Sequence, residues 1–184
     1  MNDIDRQRPY GRIVASLQAA SRDAADLGID LFRAGKQREI IMADRLGHTL
    51  VRIPGNPLVD AVDQVGRKYS YMAAHYGKRA QLFLSRRTPR GPQSRQDDVD
   101  DFIIAFFSAR DACALLTMYR CSRDAIWQEI ENQKTRKDRK HGGSETQLAY
   151  FSEALLITLS KPPANAPADG PAKAELLFRA SELV

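Results

Sequence analysis

The sequence predicts an all-α protein: a single helical-bundle domain of about six helices over 1–160, a proline-rich linker over 161–171 and a short amphipathic helix over 172–184. Three observations predict this. Apolar residues recur every three or four positions through most of the chain, as the buried stripe of a helix requires. Glycines and prolines stand between those stripes rather than inside them. Only 49–53 has the composition of a strand. With 184 residues, 43% hydrophobic and 28% charged, the chain is long enough for one well-buried domain of ordinary globular composition.

The first stripe runs over 10–34 through Ile13, Leu17, Ala20, Ala24, Leu27 and Leu31, with Gly28 as a bend and Gly35 as its end. A second helix over 36–46 stops at Gly47, and Pro54-Gly55-Asn56-Pro57 forms a turn after the strand-like piece. A third stripe joins Leu58, Val62, Val65, Tyr69, Met72, Tyr76, Ala80 and Phe83, which places Arg67, Tyr71, Ala74 and Lys78 on the opposite side of that helix. The fourth helix begins near Asp97, where carboxylates meet the positive end of the helix dipole, and continues through Phe102, Ile103, Phe106, Phe107, Leu115 and Met118. Being apolar nearly all round, it is expected at the centre of the bundle.

Ser122 caps a fifth helix carrying Ile126, Trp127 and Ile130, whose last turns are basic up to Gly142-Gly143. Ser144-Glu145-Thr146-Gln147 reads as the capping box of a sixth, with Leu148, Phe151, Leu155 and Leu159 as its stripe. Pro162-Pro163 ends it. In the terminal helix Leu176, Ala180 and Leu183 share a face.

The charge is unevenly spread. Between Gln64 and Gln96 there are eight Arg or Lys residues and no Asp or Glu, so this segment accounts for more than the whole net charge of +5. Residues 1–63 are balanced, and the rest of the chain is slightly acidic. Ordinary solvated helix faces mix both signs. An acid-free run containing Tyr69, Tyr71 and Tyr76 therefore suggests a surface for the phosphates of nucleic acid or nucleotide, with Arg67, Lys68, Lys78, Arg79, Arg86, Arg87, Arg90 and Arg95 as contacts. The plainer reading makes Tyr69 and Tyr76 core residues and the cations a solvated face.

Directly after the basic run stands Asp97-Asp98-Val99-Asp100-Asp101. On one helix Asp98 and Asp101 are three apart, so both carboxylates can face one divalent cation. The same acids can equally stabilise a helix start and neutralise the adjacent arginines. His48, His75 and His141 have no zinc-ligand spacing, and neither a nucleophile elbow nor a phosphate loop occurs. Cys113 and Cys121, about 12 Å apart along a helix, cannot form a disulfide. No basic-then-apolar leader opens the chain and Arg110 and Asp111 interrupt its most apolar run, so the expected location is the reducing cytoplasm and no membrane contact is expected.

Residues 57–143 resemble the MazG-like all-α nucleotide pyrophosphohydrolases, which pair an E-E-x-x-E helix with an E-x-x-D helix around Mg²⁺. Asp98-Val99-Asp100-Asp101 and the apolar run after it are similar to the second motif, Glu129 to Arg136 to the family's trailing Lys/Asn/Arg segment, and Arg67-Lys68-Tyr69 to the lead into the first motif. Where the family has three glutamates this chain has Ala74, His75 and Lys78, none of which supplies an anionic oxygen.

The first expectation is thus a binding module, a catalytically degraded relative of that family, that engages the phosphates of nucleic acid or nucleotide through 67–95 and needs no cofactor. A second expectation is an active Mg²⁺-dependent pyrophosphohydrolase, with Asp98 and Asp101 as ligands, Glu129 replacing a missing glutamate, and Lys134 or Arg136 offsetting negative charge. A third is a structural or adaptor subunit of a homo-oligomer or larger assembly, docked through Leu176-Leu177-Phe178.

Overall fold

Seven consecutive buried residues in Asp101–Phe107 form the centre of the protein, and they form a strand, not a helix. The computed structural model describes residues 11–33, 35–51, 58–84, 99–141, 147–161 and 172–181, and the side chains of most of these. The chain falls into two units, 1–37 and 38–184.

In the first unit α1 covers Gly11–Asp26. It stops short of the predicted helix end because Gly28 adopts φ +70°, the left-handed conformation that closes a helix, while Ile29 N–H returns to the Ala24 carbonyl. Of the predicted stripe, Ala24 is buried whereas Leu17 and Leu27 are exposed.

The second unit contains α2 (Lys36–Leu46, from residue 38), β1 (Thr49–Leu50), β2 (Ala61–Val62), β3 (Lys68–His75), β4 (Ala80–Leu84), β5 (Asp101–Phe107), β6 (Leu115–Ser122), α3 (Arg123–His141), β7 (Gln147–Phe151), α4 (Glu153–Leu159) and β8 (Ala174–Arg179). Six strands make one mixed sheet in the order β1-β2-β3-β5-β6-β8, parallel only between β3 and β5. The remaining two, β4 and β7, form a separate antiparallel pair.

This architecture overturns the all-α, helical-bundle expectation. The third predicted helix is β2, β3 and β4, the fourth is β5 and β6, and the terminal helix is β8. A run such as Phe102-Ile103-Ile104-Ala105-Phe106-Phe107 is apolar on every side, so periodicity cannot separate a central strand from a buried helix. Its register decides: Ile103 lies opposite Tyr71 and Arg120, and Phe106 opposite Ala74 and Thr117.

Strand alternation sorts the side chains into two cores. On one face Tyr69, Ile103, Ala105, Phe107 and Met118 pack under α2 through Met42. Arg38 stacks over the Phe107 ring at 5.3 Å and Arg45 over Phe178 at 4.5 Å. The opposite face carries Met72, Phe102, Ile104, Phe106, Tyr119 and Cys121, covered by Ile126 and Ile130 of α3, Leu156 of α4 and the β4–β7 pair.

Where caps and stops are local, the predicted elements stand. Helix α2 ends at Gly47, whose φ is +66°, and Ser122 caps α3 by accepting from Ala125 N–H at 3.3 Å. The sixth helix starts later than predicted: 147–151 is β7, and Ser152 caps α4 by accepting from Leu155 N–H at 3.2 Å. Residues 52–57, 142–146 and 162–171, with the predicted turn, most of the capping box and the linker, lie outside the described residues. Cys113 sits exposed between β5 and β6 and Cys121 is buried on β6, both as free thiols.

Because β8 is the outer partner of β6, with Ala174 buried and Phe178 packed on the core, it is part of the sheet. A chain ending at Lys173 is expected to lose about 3 kcal/mol or more from the uncovered Leu177 and Phe178 alone. A thermal melt unchanged by that truncation would fit an appended helix instead.

Candidate functional site

Three short segments build the most structured polar site. The first is the turn between β2 and β3, where Asp63 Oδ1 accepts from the N–H groups of Val65 (3.0 Å) and Arg67 (2.9 Å). This is an Asx-type turn, and Gly66 at φ +83° completes it. Tyr69 O–H donates to Asp63 Oδ2 at 3.0 Å. Burial works against the Asp63 charge, but these three donors hold its carboxyl below the usual range.

The second segment is the end of α2. Gly47 turns the chain so that the His48 ring lies on Tyr69, with centroids 4.2 Å apart, and its Nδ1 is 2.9 Å from Tyr71 Oη. Burial lowers the His48 pKa, Asp63 opposes this and Arg120 adds to it, so the neutral imidazole is favoured. Third come the sheet residues Ile103, Arg120 and Leu177. Arg120 is held by an ion pair with Glu175 on β8. Together they line an open cavity of about 460 Å³.

Beside it, Asp101 opens β5 with its side chain 5% exposed, and Arg67, half-exposed, reaches it at 3.1 Å. Burial pushes the Asp101 carboxyl above its ordinary pKa, while Arg67 and Arg120 pull it back. Asp101 is therefore a structural counter-ion.

The predicted site residues are dispersed. Arg67 is engaged with Asp101, and Lys68 opens β3, its N–H donating to Asp100 at 2.8 Å. Lys78 and Arg79 lie exposed in the β3–β4 connection at the other end of that strand. At a rise of about 3.3 Å per residue, the seven steps of β3 separate the two pairs by about 23 Å. Arg86, Arg87, Arg90, Arg95 and Asp98 lie outside the described residues, as do the side chains of Lys134 and Arg136. The tyrosines change places as well: Tyr69 and Tyr71 share a face, and Val65, expected in the core, is 87% exposed.

The Mg²⁺ site implied for Asp98 and Asp101 does not fit what surrounds Asp101. Its ion-pair partner is the Arg67 guanidinium and the Arg120 charge acts on it as well, both of which repel a cation, and it stands on a strand. Glu129 belongs to α3 on the other face of the sheet, where it accepts from Gln133 Nε2 at 3.0 Å. Among the described residues no three His, Cys, Asp or Glu side chains converge as metal ligands.

Sequence reasoning missed His48, Asp63 and Arg120 as members of one site. Their convergence depends on the β2–β3 and β5–β6 registers, although Asp63 to Gly66 carries a local turn signature. Among the described residues no helix is long and apolar enough to cross a membrane. No family model matches the sequence, and no curated protein is similar to it.

Proposed function

We propose that the protein binds the phosphates of nucleic acid or nucleotide through residues 67–95. The observation that supports this is the acid-free charge of the segment: eight cations and no carboxylate over 64–96. Among the described residues no carboxylate pairs with Lys68, Lys78 or Arg79, so their charge is available to a ligand, whereas that of Arg67 is shared with Asp101.

Spacing favours a polymer over a single nucleotide. Cations about 23 Å apart along β3 span a length equal to about seven base-pair steps of duplex DNA at about 3.4 Å of axial rise each, far more than one nucleotide covers. One nucleotide would reach only one end of this row.

Salt dependence tests the reading. Log affinity for an oligonucleotide should fall linearly against log salt, by about 0.7 per contacted phosphate for single strands and about 0.9 for duplex DNA. Changing Lys78→Ala together with Arg79→Ala should flatten that slope by about 1.4 to 1.8. Salt-insensitive binding, or none at low ionic strength, would refute it.

A further inference from the structure

We propose that the cavity beside Tyr69 receives one unstacked nucleobase of a single strand whose phosphate lies on Lys68. This rests on the phosphate-binding reading of 67–95 and adds what is read besides charge.

The lining selects the ligand class. Leu46, Ile103 and Leu177 supply apolar walls, and His48, Asp63 and Arg120 supply hydrogen-bonding groups. Asp63 and Arg120 carry opposite charges, so the cavity suits neither a bare phosphate, which the carboxylate would repel, nor a metal cation, which the guanidinium would. A neutral heterocycle with donors and acceptors on its rim fits both. Its volume of about 460 Å³ lies within the range of about 300–1,000 Å³ typical of small-ligand sites.

The polar groups are already fixed. Asp63 is held by Val65, Arg67 and Tyr69, Arg120 by Glu175, and His48 by its stack on Tyr69 and its contact with Tyr71. With Nδ1 so engaged, Nε2 of the neutral imidazole remains for the ligand. Little ordering is lost when a ring enters such a site.

The mouth points the same way. Val65, which also lines the cavity, stands 87% exposed two residues before Arg67 and three before Lys68. An apolar rim with Lys68, unpaired among the described residues, three residues on gives a base and its backbone adjacent footholds.

The test compares a single-stranded DNA 12-mer with an abasic 12-mer of identical phosphate number, both at low salt. The base-bearing strand should bind the wild-type protein about tenfold more tightly, the scale of one stacked base. In His48→Ala and, independently, Val65→Ser the ratio should fall toward one while the salt slope stays unchanged. Equal affinity of both strands for the wild type would overturn the base site and leave the phosphate reading standing. Failure of both strands to bind would overturn the phosphate reading itself. A tenfold preference surviving in both variants would show that bases are read elsewhere.

Discussion

Replacing Phe106 by alanine is expected to destabilise the fold by about 3–5 kcal/mol, the range for removing a fully buried aromatic ring. Phe106 has no solvent exposure, and its direct neighbours across the sheet are Ala74 on β3 and Thr117 on β6. Both are small, so the ring itself fills the space between the sheet and the layer of α3, α4 and the β4–β7 pair. Neither neighbour can expand into the hole, and close-packed interiors relax only in part. The loss should appear as a lower urea midpoint with an unchanged slope. Leu176→Ala on the outer strand, where the side chain is 43% exposed, should change stability by about 0.5 kcal/mol or less. A loss under 1 kcal/mol at Phe106 would contradict the central position of β5.

Phe106 also shows why periodicity alone predicts the wrong fold class. Apolar positions in strands buried on both faces are continuous, and a continuous run contains every period, including that of a helix. Val62, Val65, Tyr69, Met72 and Tyr76 happen to fit three-and-four spacing, yet Tyr69 and Met72 lie on opposite faces of the sheet and Val65 is in solvent. Stops and caps were legible where the signal is local, as at Gly47 and Ser122, because a left-handed glycine or an N-cap hydroxyl needs only its immediate neighbours. Of the candidate site, the turn at Asp63 has a local signature, whereas the meeting of His48, Tyr69 and Arg120 depends on pairing across 72 residues of sequence. Charge reading found the cations but could not show that Asp101 already engages Arg67.

That pairing makes Arg67→Ala the second large effect, a loss of about 1–3 kcal/mol at neutral pH. Breaking a fully buried ion pair costs about 3–5 kcal/mol because a charge is left stranded, and the half-exposed Arg67 reduces this. The pH dependence separates the electrostatic cause from lost packing. Burial raises the Asp101 carboxyl above its ordinary value, against the pull of Arg67 and Arg120, so the folded state holds its proton to higher pH than the unfolded state. Where the native state binds more protons, stability falls as pH rises. The penalty is absent below the unfolded-state pKa and complete above the folded one. Without Arg67 the carboxyl moves higher still, so the deficit of Arg67→Ala should vanish at acid pH, grow as the pH rises from the wild-type folded value to the new, higher one, and stay constant above it. The double variant Arg67→Ala with Asp101→Asn, which has no charge to strand, should recover most of the loss at pH 7 and show no such growth. A deficit of Arg67→Ala that is independent of pH, or not recovered by the second change, would mean that the Arg67 side chain acts through its packing and that Asp101 tolerates its buried position without a partner.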